Sequence, residues 1–337
     1  MWDAKACSVA GKAGKWAEFV SGKVVAIRDG KRLHLGIMER RDFLLKSGAA
    51  LAGIGAAQGQ AKTGPRKKEW PIVAFEKPFQ ALDYDRMGEE LAKMGIQGIE
   101  ATIRKGGHIE QKNAAEEVPK MVASLAKNGQ KALLVASNVG EITPENEKFL
   151  LTLKSNGITR YRMNYYRYDL NGDLLQQVKD YTTKAKELAA FNRENGMQAI
   201  YQLHSGAKLL GGMSWDLALL LQDIDPQEIG IGYDLRHFRT DSGLSWKAAL
   251  QVARKHIQAI YVKDAVWSGE RSNKLKSVPL DTGFVDEATF KEVRKGQKPM
   301  PISVHMEWGK SSIYPKEIVM EAVANVAREV KTLKGWL

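Results

Sequence analysis

Three short apolar runs in the last third of the chain each end in polar residues that can do chemistry, and this pattern narrows the possible folds more than any other feature. An amphipathic stretch separates each run from the next. Such alternation predicts repeated strand–helix units in a parallel sheet whose faces are both covered. The runs and the residues that follow them are 229–233 with Asp234 and His237, 257–261 with Lys263, and 301–304 with His305 and Glu307.

The same alternation extends back to residue 70 and gives eight predicted strands. No Gly-x-Gly-x-x-Gly or Walker-type loop follows the first of them, which argues against an open nucleotide-binding sheet. Eight units favour closure, so the sequence predicts an α/β fold with a single (β/α)8 TIM barrel over residues 69–337, preceded by a signal segment. The predicted strands are 72–75, 98–103, 131–136, 161–164, 198–203, 230–234, 259–262 and 302–306. Helical patterns between them include 85–94, 118–128, 174–195, 215–221, 246–256 and 289–294.

The N-terminal part carries a different kind of signal. An arginine pair, Arg40 and Arg41, precedes an uncharged run of small residues at 47–57. This arrangement resembles a twin-arginine export signal, with a basic segment, a short apolar segment and small residues that a signal peptidase could cut. The apolar segment is too short for a permanent membrane span. We therefore expect a signal peptide at 38–61; the alternative is a buried helix rich in Ala and Gly.

Residues 1–37 show no clear hydrophobic period, and Met38 stands almost directly before the arginine pair. Because an export signal begins near the true N-terminus, we expect Met38 to be the start of the native chain. Residues 1–37 are then a non-native or disordered leader. A real but disordered extension is the alternative.

Most of the positive charge lies in this N-terminal part. Residues 1–68 hold 14 Lys and Arg against 5 Asp and Glu, which is a net charge of +9 within the chain's +12. The basic character therefore gives no support for a nucleic-acid partner. The only cysteine, Cys7, also lies here, so a mature chain would have no disulfide and no thiol nucleophile. The sequence predicts a periplasmic or secreted protein that interacts with the twin-arginine export machinery during its export.

Four histidines fall at or just after predicted strand ends, where a barrel gathers its active-site residues. They are His108, His204, His237 and His305. A single histidine at a strand end is usually structural, but a cluster of four is not needed for packing and favours a functional site. His256 lies in a helical pattern and is interpreted as an ordinary packing or surface residue.

Carboxylates and a lysine at neighbouring strand ends complete the predicted site. His204, Asp234 and Glu307 are the predicted ligands of one divalent metal, because mixed His and carboxylate sets suit Mn²⁺, Mg²⁺, Co²⁺ and Zn²⁺. Glu307 is also the predicted proton-transfer base, although it could simply pair with a Lys or Arg. Lys263 and His237 are predicted to stabilise a developing oxyanion. The predicted substrate contacts are Glu100, His108 and His305.

In their order and spacing, segments along nearly the whole mature chain resemble the xylose isomerase-like barrels known as sugar phosphate isomerases and epimerases. The resemblance implies a TIM barrel and a small carbohydrate substrate. It further implies one divalent metal held by Glu, Asp, His and Glu from strands five to eight, with proton transfer through an enediolate. The matching segments are 77–80, 98–108, 201–206, 215–217, 233–237, 262–264, 278–283 and 305–307.

The match to the implied metal site is partial. Asp234 and Glu307 fill the second and fourth ligand places, and His237 matches the Asp-x-x-His substrate contact of these barrels. The strand-five glutamate is missing, with Gln202 nearby, and Tyr261 stands at the place of the strand-seven histidine. Two changed ligands put simple metal-dependent isomerisation in question.

The sequence therefore predicts an exported sugar isomerase or epimerase that uses metal-assisted proton abstraction next to a carbonyl. Two alternatives stay open. One is a lyase on 3-keto sugars or glycosides built on the same barrel, and the other is a non-catalytic carbohydrate-binding barrel. The substrate, the identity of the metal and the oligomeric state are not predicted.

Overall fold

The computed structural model describes residues 69–311 and 313–337, together with four strands within the first 37 residues. Those four strands pair in chain order as an antiparallel sheet, within a compact unit that spans Met1–Arg66. The predicted signal peptide at 38–61 lies outside the described residues, and the leader at 1–37 stays a prediction. The four strands are Ser8–Ala10, Trp16–Val20, Val24–Asp29 and Arg32–Ile37.

The second unit, Lys67–Leu337, contains eight parallel strands that close into a barrel in simple chain order. Ile302 of the last strand pairs with Ile72 of the first, which completes the ring. The predicted (β/α)8 fold is confirmed, and each predicted strand overlaps an observed one. The strands are β1 Ile72–Phe75, β2 Gly98–Thr102, β3 Lys131–Ala136, β4 Arg160–Arg162, β5 Gln198–Gln202, β6 Ile229–Asp234, β7 Ile257–Val262 and β8 Ile302–Val304.

Helices surround this barrel and follow its strands. In the described part of the chain, no helix has both the length and the apolar character needed to cross a bilayer. A hairpin of strands Asp264–Ser268 and Lys274–Val278 follows β7. The helices are α1 Tyr84–Met94, α2 Ala114–Ala126, α3 Pro144–Ser155, α4 Leu174–Asn195, α5 Trp215–Leu221, α6 Leu235–Ser242, α7 Trp246–Ala253, α8 Glu287–Arg294 and α9 Val319–Trp336.

Local sequence signals explain where several helices begin and end. The side chains of Asp83 and Asp173 accept backbone hydrogen bonds at the starts of α1 and α4. Gly95 and Gly196 end the same two helices in the left-handed conformation, which glycine adopts without a steric penalty. Each helix therefore stops at the point where the chain must turn back into the next strand.

The barrel interior is closed by side chains and cannot act as a channel. Most of the apolar core packs between strands and helices, while a separate small cluster fills the lumen. Above that cluster, towards the C-terminal strand ends, the inward positions become polar. This arrangement leaves the C-terminal mouth as the place for a site. The lumen cluster consists of Val73, Leu134, Ile200, Ala259 and Tyr261.

Glu329 on α9 gives the fold a dependence on pH. It is buried, and it accepts hydrogen bonds from the backbone N–H of Leu280 and from Nε1 of Trp308. Burial raises its pKa from the ordinary 4.5 to about 7. Between these values the folded protein holds a proton that the unfolded chain has released, so the contribution of Glu329 to stability should fall as pH rises through this window.

We expect Glu329→Gln to lose less stability than the wild-type protein as pH rises from 5 to 7.5, as measured by urea unfolding at each pH. The matched control is Glu321→Gln on the same helix, because Glu321 forms an exposed ion pair with Lys310. This control should keep the wild-type pH dependence. The same pH dependence of stability in Glu329→Gln as in the control would contradict the role of Glu329.

Candidate active site

A pocket with a volume of about 320 Å³ opens at the C-terminal mouth of the barrel. This volume lies at the lower end of the range for small-molecule sites. Its lining is strongly cationic, with side chains from several strand ends. The charged lining residues are Lys77, Arg104, Arg162, Lys263 and Glu307.

Glu100 belongs to the polar network that lies behind the pocket. It is completely buried, and its Oε2 accepts hydrogen bonds from Ser303 Oγ at 2.6 Å and from His305 Nε2 at 2.8 Å. Its Oε1 lies 3.4 Å from Nε of Arg162. Burial disfavours the charged carboxylate, but Arg162 and His305 outweigh it and lower the pKa of Glu100 to about 2. His305 therefore uses its Nε2–H for Glu100 and presents its other ring edge to the pocket.

Gln202 at the end of β5 links two charged groups through one amide. Its Oε1 accepts from Arg162 Nη1 at 2.5 Å and from the Tyr165 hydroxyl at 2.7 Å. Its Nε2 donates to Asp234 Oδ2 at 2.8 Å. A guanidinium can only donate, so the amide oxygen must face Arg162 and the amide N–H must face Asp234.

Lys263 lies between two carboxylates that come from the strands on either side of it. Its Nζ is 3.2 Å from Asp234 Oδ2 and 3.0 Å from Glu307 Oε1. Arg236 adds a second cation, with Nη1 3.3 Å from Glu307 Oε2. Burial alone would raise the pKa of both carboxyls, but Lys263 and its cationic neighbours hold both well below their ordinary values. Both groups are therefore ionised at neutral pH.

Glu307 differs from the other two carboxylates of the site in its exposure. Its side chain is 31% exposed, whereas those of Glu100 and Asp234 are 0% exposed. Glu307 is thus the member of this group that a pocket ligand can reach directly.

Two neutral histidines stand beside this ion-pair network. The rings of His204 and His237 are 3.8 Å apart between centroids. Nε2 of His237 lies 3.1 Å from Nη2 of Arg236, which can only donate, so the His237 proton must be on Nδ1, 2.7 Å from Ser205 Oγ. Burial and the nearby Lys263 charge lower the pKa of both histidines, which keeps them uncharged.

The structure brings most of the predicted site residues together. His204, Lys263, His305 and Glu307 line the pocket, while Glu100, Asp234 and His237 are buried within the network behind it. His108 is placed differently. Its Nδ1 lies 2.8 Å from Glu76 Oε1, and its ring stacks on Tyr84 with centroids 4.4 Å apart, so it does not line the pocket.

Several pocket residues were not among the named site residues predicted from the sequence. Arg162 lies within the predicted strand 161–164, and a charged residue inside a barrel strand is the signal that could have identified it. Lys77 and Arg104 each stand two residues after a strand and so obey the same strand-end rule as the predicted residues. Gln202 lies within the predicted strand 198–203, near the place of the missing strand-five glutamate, whereas Tyr165 has no comparable signal.

The predicted metal ligands do not form a metal site as arranged. Within residues 69–311 and 313–337 there is no group of three or more His, Cys, Asp or Glu side chains placed to hold a metal ion. The reason is visible at Asp234 and Glu307, because the Lys263 ammonium lies between them. His204 lines the same pocket, and its Nδ1 lies 2.9 Å from the carbonyl oxygen of Ser205.

Comparison by sequence finds no matching protein-family model and no matching curated protein. Solved structures do match in fold. The IolI protein with a bound zinc atom aligns with a TM-score of 0.61 and 12% identity, over 79% of this chain and 97% of that one. The 3-keto-D-glucoside 4-epimerase from E. coli aligns with a TM-score of 0.56 and 13% identity, over 77% of this chain and 99% of that one.

A xylose isomerase-like TIM barrel protein from Mycobacterium smegmatis, in complex with magnesium, aligns with a TM-score of 0.55 and 15% identity, over 77% of this chain and 98% of that one. Identities this low establish the fold and not the reaction. These solved structures share the TIM-barrel fold of this chain.

Proposed function

We propose that this barrel is a carbohydrate-modifying enzyme that moves a proton at a carbon next to a carbonyl, as sugar isomerases and epimerases do. The observation that carries the proposal is the position of Glu307, an ionised and reachable carboxylate beside the Lys263 ammonium in a ligand-sized pocket. The similarity in fold to a sugar epimerase supports the substrate class by analogy.

The roles follow from what each group can do. Glu307 takes the proton from the substrate carbon, and the electron pair of the broken C–H bond moves towards the carbonyl oxygen. Lys263 donates a hydrogen bond to that oxygen and stabilises its negative charge. Return of the proton from Glu307 to the neighbouring carbon, with transfer of the hydroxyl proton of the first carbon to the former carbonyl oxygen, completes isomerisation. Epimerisation instead needs a second proton donor, a side chain or water, on the opposite face of the same carbon. His237 uses both ring nitrogens on Arg236 and Ser205, so we assign it a positioning role.

The low pKa of Glu307 is compatible with this role. It guarantees that the base is ionised, although it weakens the carboxylate as a proton acceptor. A substrate oxygen that takes over the hydrogen bond from Lys263 removes part of the stabilisation of the Glu307 charge. The basicity of Glu307 then rises when the proton is transferred.

The lining points to substrates with an anionic group. Lys77 and Arg104 face the pocket, and neither is needed for the network around Glu100 and Asp234. Burial lowers the pKa of Lys77, and the positive charges of Arg104, Lys263 and Arg162 act in the same direction. These cations repel each other, and a carboxylate or phosphate on the sugar would relieve that repulsion.

A solvent-exchange assay tests the proposal. The protein is incubated in D₂O with ketoses, 3-keto glycosides, uronates and sugar phosphates, and deuterium incorporation next to the carbonyl is followed by NMR. Incorporation with a new isomer or epimer supports the proposal. Loss of a leaving group would indicate the lyase reaction, and tight sugar binding without exchange would indicate a carbohydrate-binding barrel.

Export through the twin-arginine pathway is a second proposal, and it rests on the sequence at Arg40 and Arg41. Changing both to Lys should leave folded protein in the cytoplasm, because this pathway recognises the arginine pair. Cell fractionation and N-terminal sequencing of the full-length protein measure this, with the processed form starting near Gln58 or Lys62. Unchanged export of the double variant would rule the signal out.

A further inference from the structure

The Lys263 ammonium lies where the sequence predicts a divalent metal. Its side chain is 3% exposed and contacts Asp234 and Glu307 at once, at 3.2 and 3.0 Å. Asp234 is the last residue of β6, Lys263 directly follows β7, and Glu307 follows β8. In the barrel, β7 lies between β6 and β8. A metal ion between the two carboxylates would have to displace the lysine.

The oxygens of Asp234 are already used by donors. Oδ1 accepts the backbone N–H of His237 at 3.1 Å, and Oδ2 receives both Lys263 Nζ and Gln202 Nε2. Gln202 cannot turn its oxygen towards this place, since Arg162 holds that oxygen at 2.5 Å. A metal at Asp234 would therefore face N–H groups on two sides, where it needs lone pairs.

The charges of the network balance without a metal. Glu100, Asp234 and Glu307 carry the three negative charges, and each lies within 3.4 Å of a cationic nitrogen. The cations are Arg162, Arg236 and Lys263. A divalent ion would add two positive charges to a pocket that is also lined by Lys77 and Arg104.

From these three observations we infer that Lys263 replaces the divalent metal and that proton transfer in this barrel is metal-independent. The inference rests on the proposed function for its mechanistic part. The substrate C–H bond breaks, the proton goes to Glu307, and the electron pair forms an enediolate whose oxygen is held by Lys263. The same atoms reverse the step, so no metal and no redox partner is required.

The test measures metal binding directly and needs no substrate. Protein dialysed against EDTA is titrated with Mn²⁺, Mg²⁺, Co²⁺ and Zn²⁺ by calorimetry, and its metal content and thermal midpoint are measured with and without EDTA. The wild-type protein should hold no stoichiometric metal and show no shift of the midpoint. Lys263→Met removes the ammonium and frees the two carboxylates, so it should bind Mn²⁺ or Zn²⁺ at least tenfold more tightly than the wild type.

Lys127→Met is the matched control, because Lys127 pairs with Asp85 on the surface and should leave metal affinity unchanged. Stoichiometric metal in the wild type, or a metal-dependent rise of its midpoint, would overturn the inference even if Lys263→Met fails to fold. A metal-free protein with no exchange activity would instead refute the proposed function and leave the replacement of the metal standing. If EDTA abolished the exchange activity and a metal restored it, the replacement of the metal by Lys263 would be refuted, while the proposed function would stand.

Discussion

Glu307→Gln should slow substrate exchange by on the order of 10²–10⁴-fold, the usual cost of losing a general base. The amide keeps the shape of the carboxylate but cannot accept a proton. Glu307 contributes no packing to the apolar core, so any loss of stability should come from its ion pairs with Lys263 and Arg236. The measurement is deuterium incorporation from D₂O by the wild type and the variant on the same verified substrate.

The control for this substitution is Glu110→Gln. Glu110 lies in the loop after β2 and accepts a hydrogen bond from the backbone N–H of Gly106. Its loss should not alter exchange. Full activity of Glu307→Gln would remove the proton-transfer mechanism and leave the carbohydrate-binding barrel as the better interpretation.

Arg162→Met should destabilise the fold by about 3–5 kcal/mol, the cost of leaving one partner of a buried ion pair uncompensated. Glu100 would keep Ser303 and His305 but lose its nearest permanent cation, and the Gln202 oxygen would lose a strong donor. Urea unfolding at pH 7 measures the effect. The matched control is Arg193→Met, whose ion pair lies on the surface and should cost about 0–1 kcal/mol.

The same substitution should also move acid unfolding. Because the pKa of Glu100 is lowered to about 2, its ionised form stabilises the folded state above pH 4.5, and that stabilisation is lost as pH falls towards 2. Without Arg162 the pKa of Glu100 rises, so the acid transition should begin at a higher pH. A variant as stable as the surface control, with an unchanged acid transition, would show that Arg162 is not needed to compensate Glu100.

Most strands could be predicted because they are short apolar runs, often preceded by a glycine such as Gly95 or Gly196 that ends a helix. The hairpin after β7 could not. It begins at Asp264, whose carboxylate accepts backbone N–H groups from Thr282, Gly283 and Val285. These contacts join segments that are distant in the chain, so the local hydrophobic periodicity of the sequence cannot predict them.

The site residues that could be predicted from the sequence are those at the C-terminal ends of the strands, which meet at one face of a barrel. This strand-end rule identified Lys263 and Glu307 because strand direction alone brings such residues together. It could not show that the Lys263 ammonium would lie between Asp234 and Glu307, since that depends on rotamers and on Gln202 facing Asp234 with its N–H group. The same limit explains His108, whose ring is held by Glu76 and Tyr84 in a separate cluster.

The orientation of the Gln202 amide has a consequence for how this barrel can diverge. A glutamate at that position would still pair with Arg162, but it would place a second carboxylate 2.8 Å from the Asp234 oxygen that now accepts an N–H bond. A further cation would be needed to offset that repulsion, because Lys263 already pairs with Glu307. Positions 202 and 263 are therefore expected to covary among related chains, with Gln accompanying Lys and Glu accompanying a side chain that leaves room for an ion. A change from the Gln–Lys combination to the combination of Glu with a bound ion requires both substitutions. Related chains that carry only one of the two substitutions should therefore be rare.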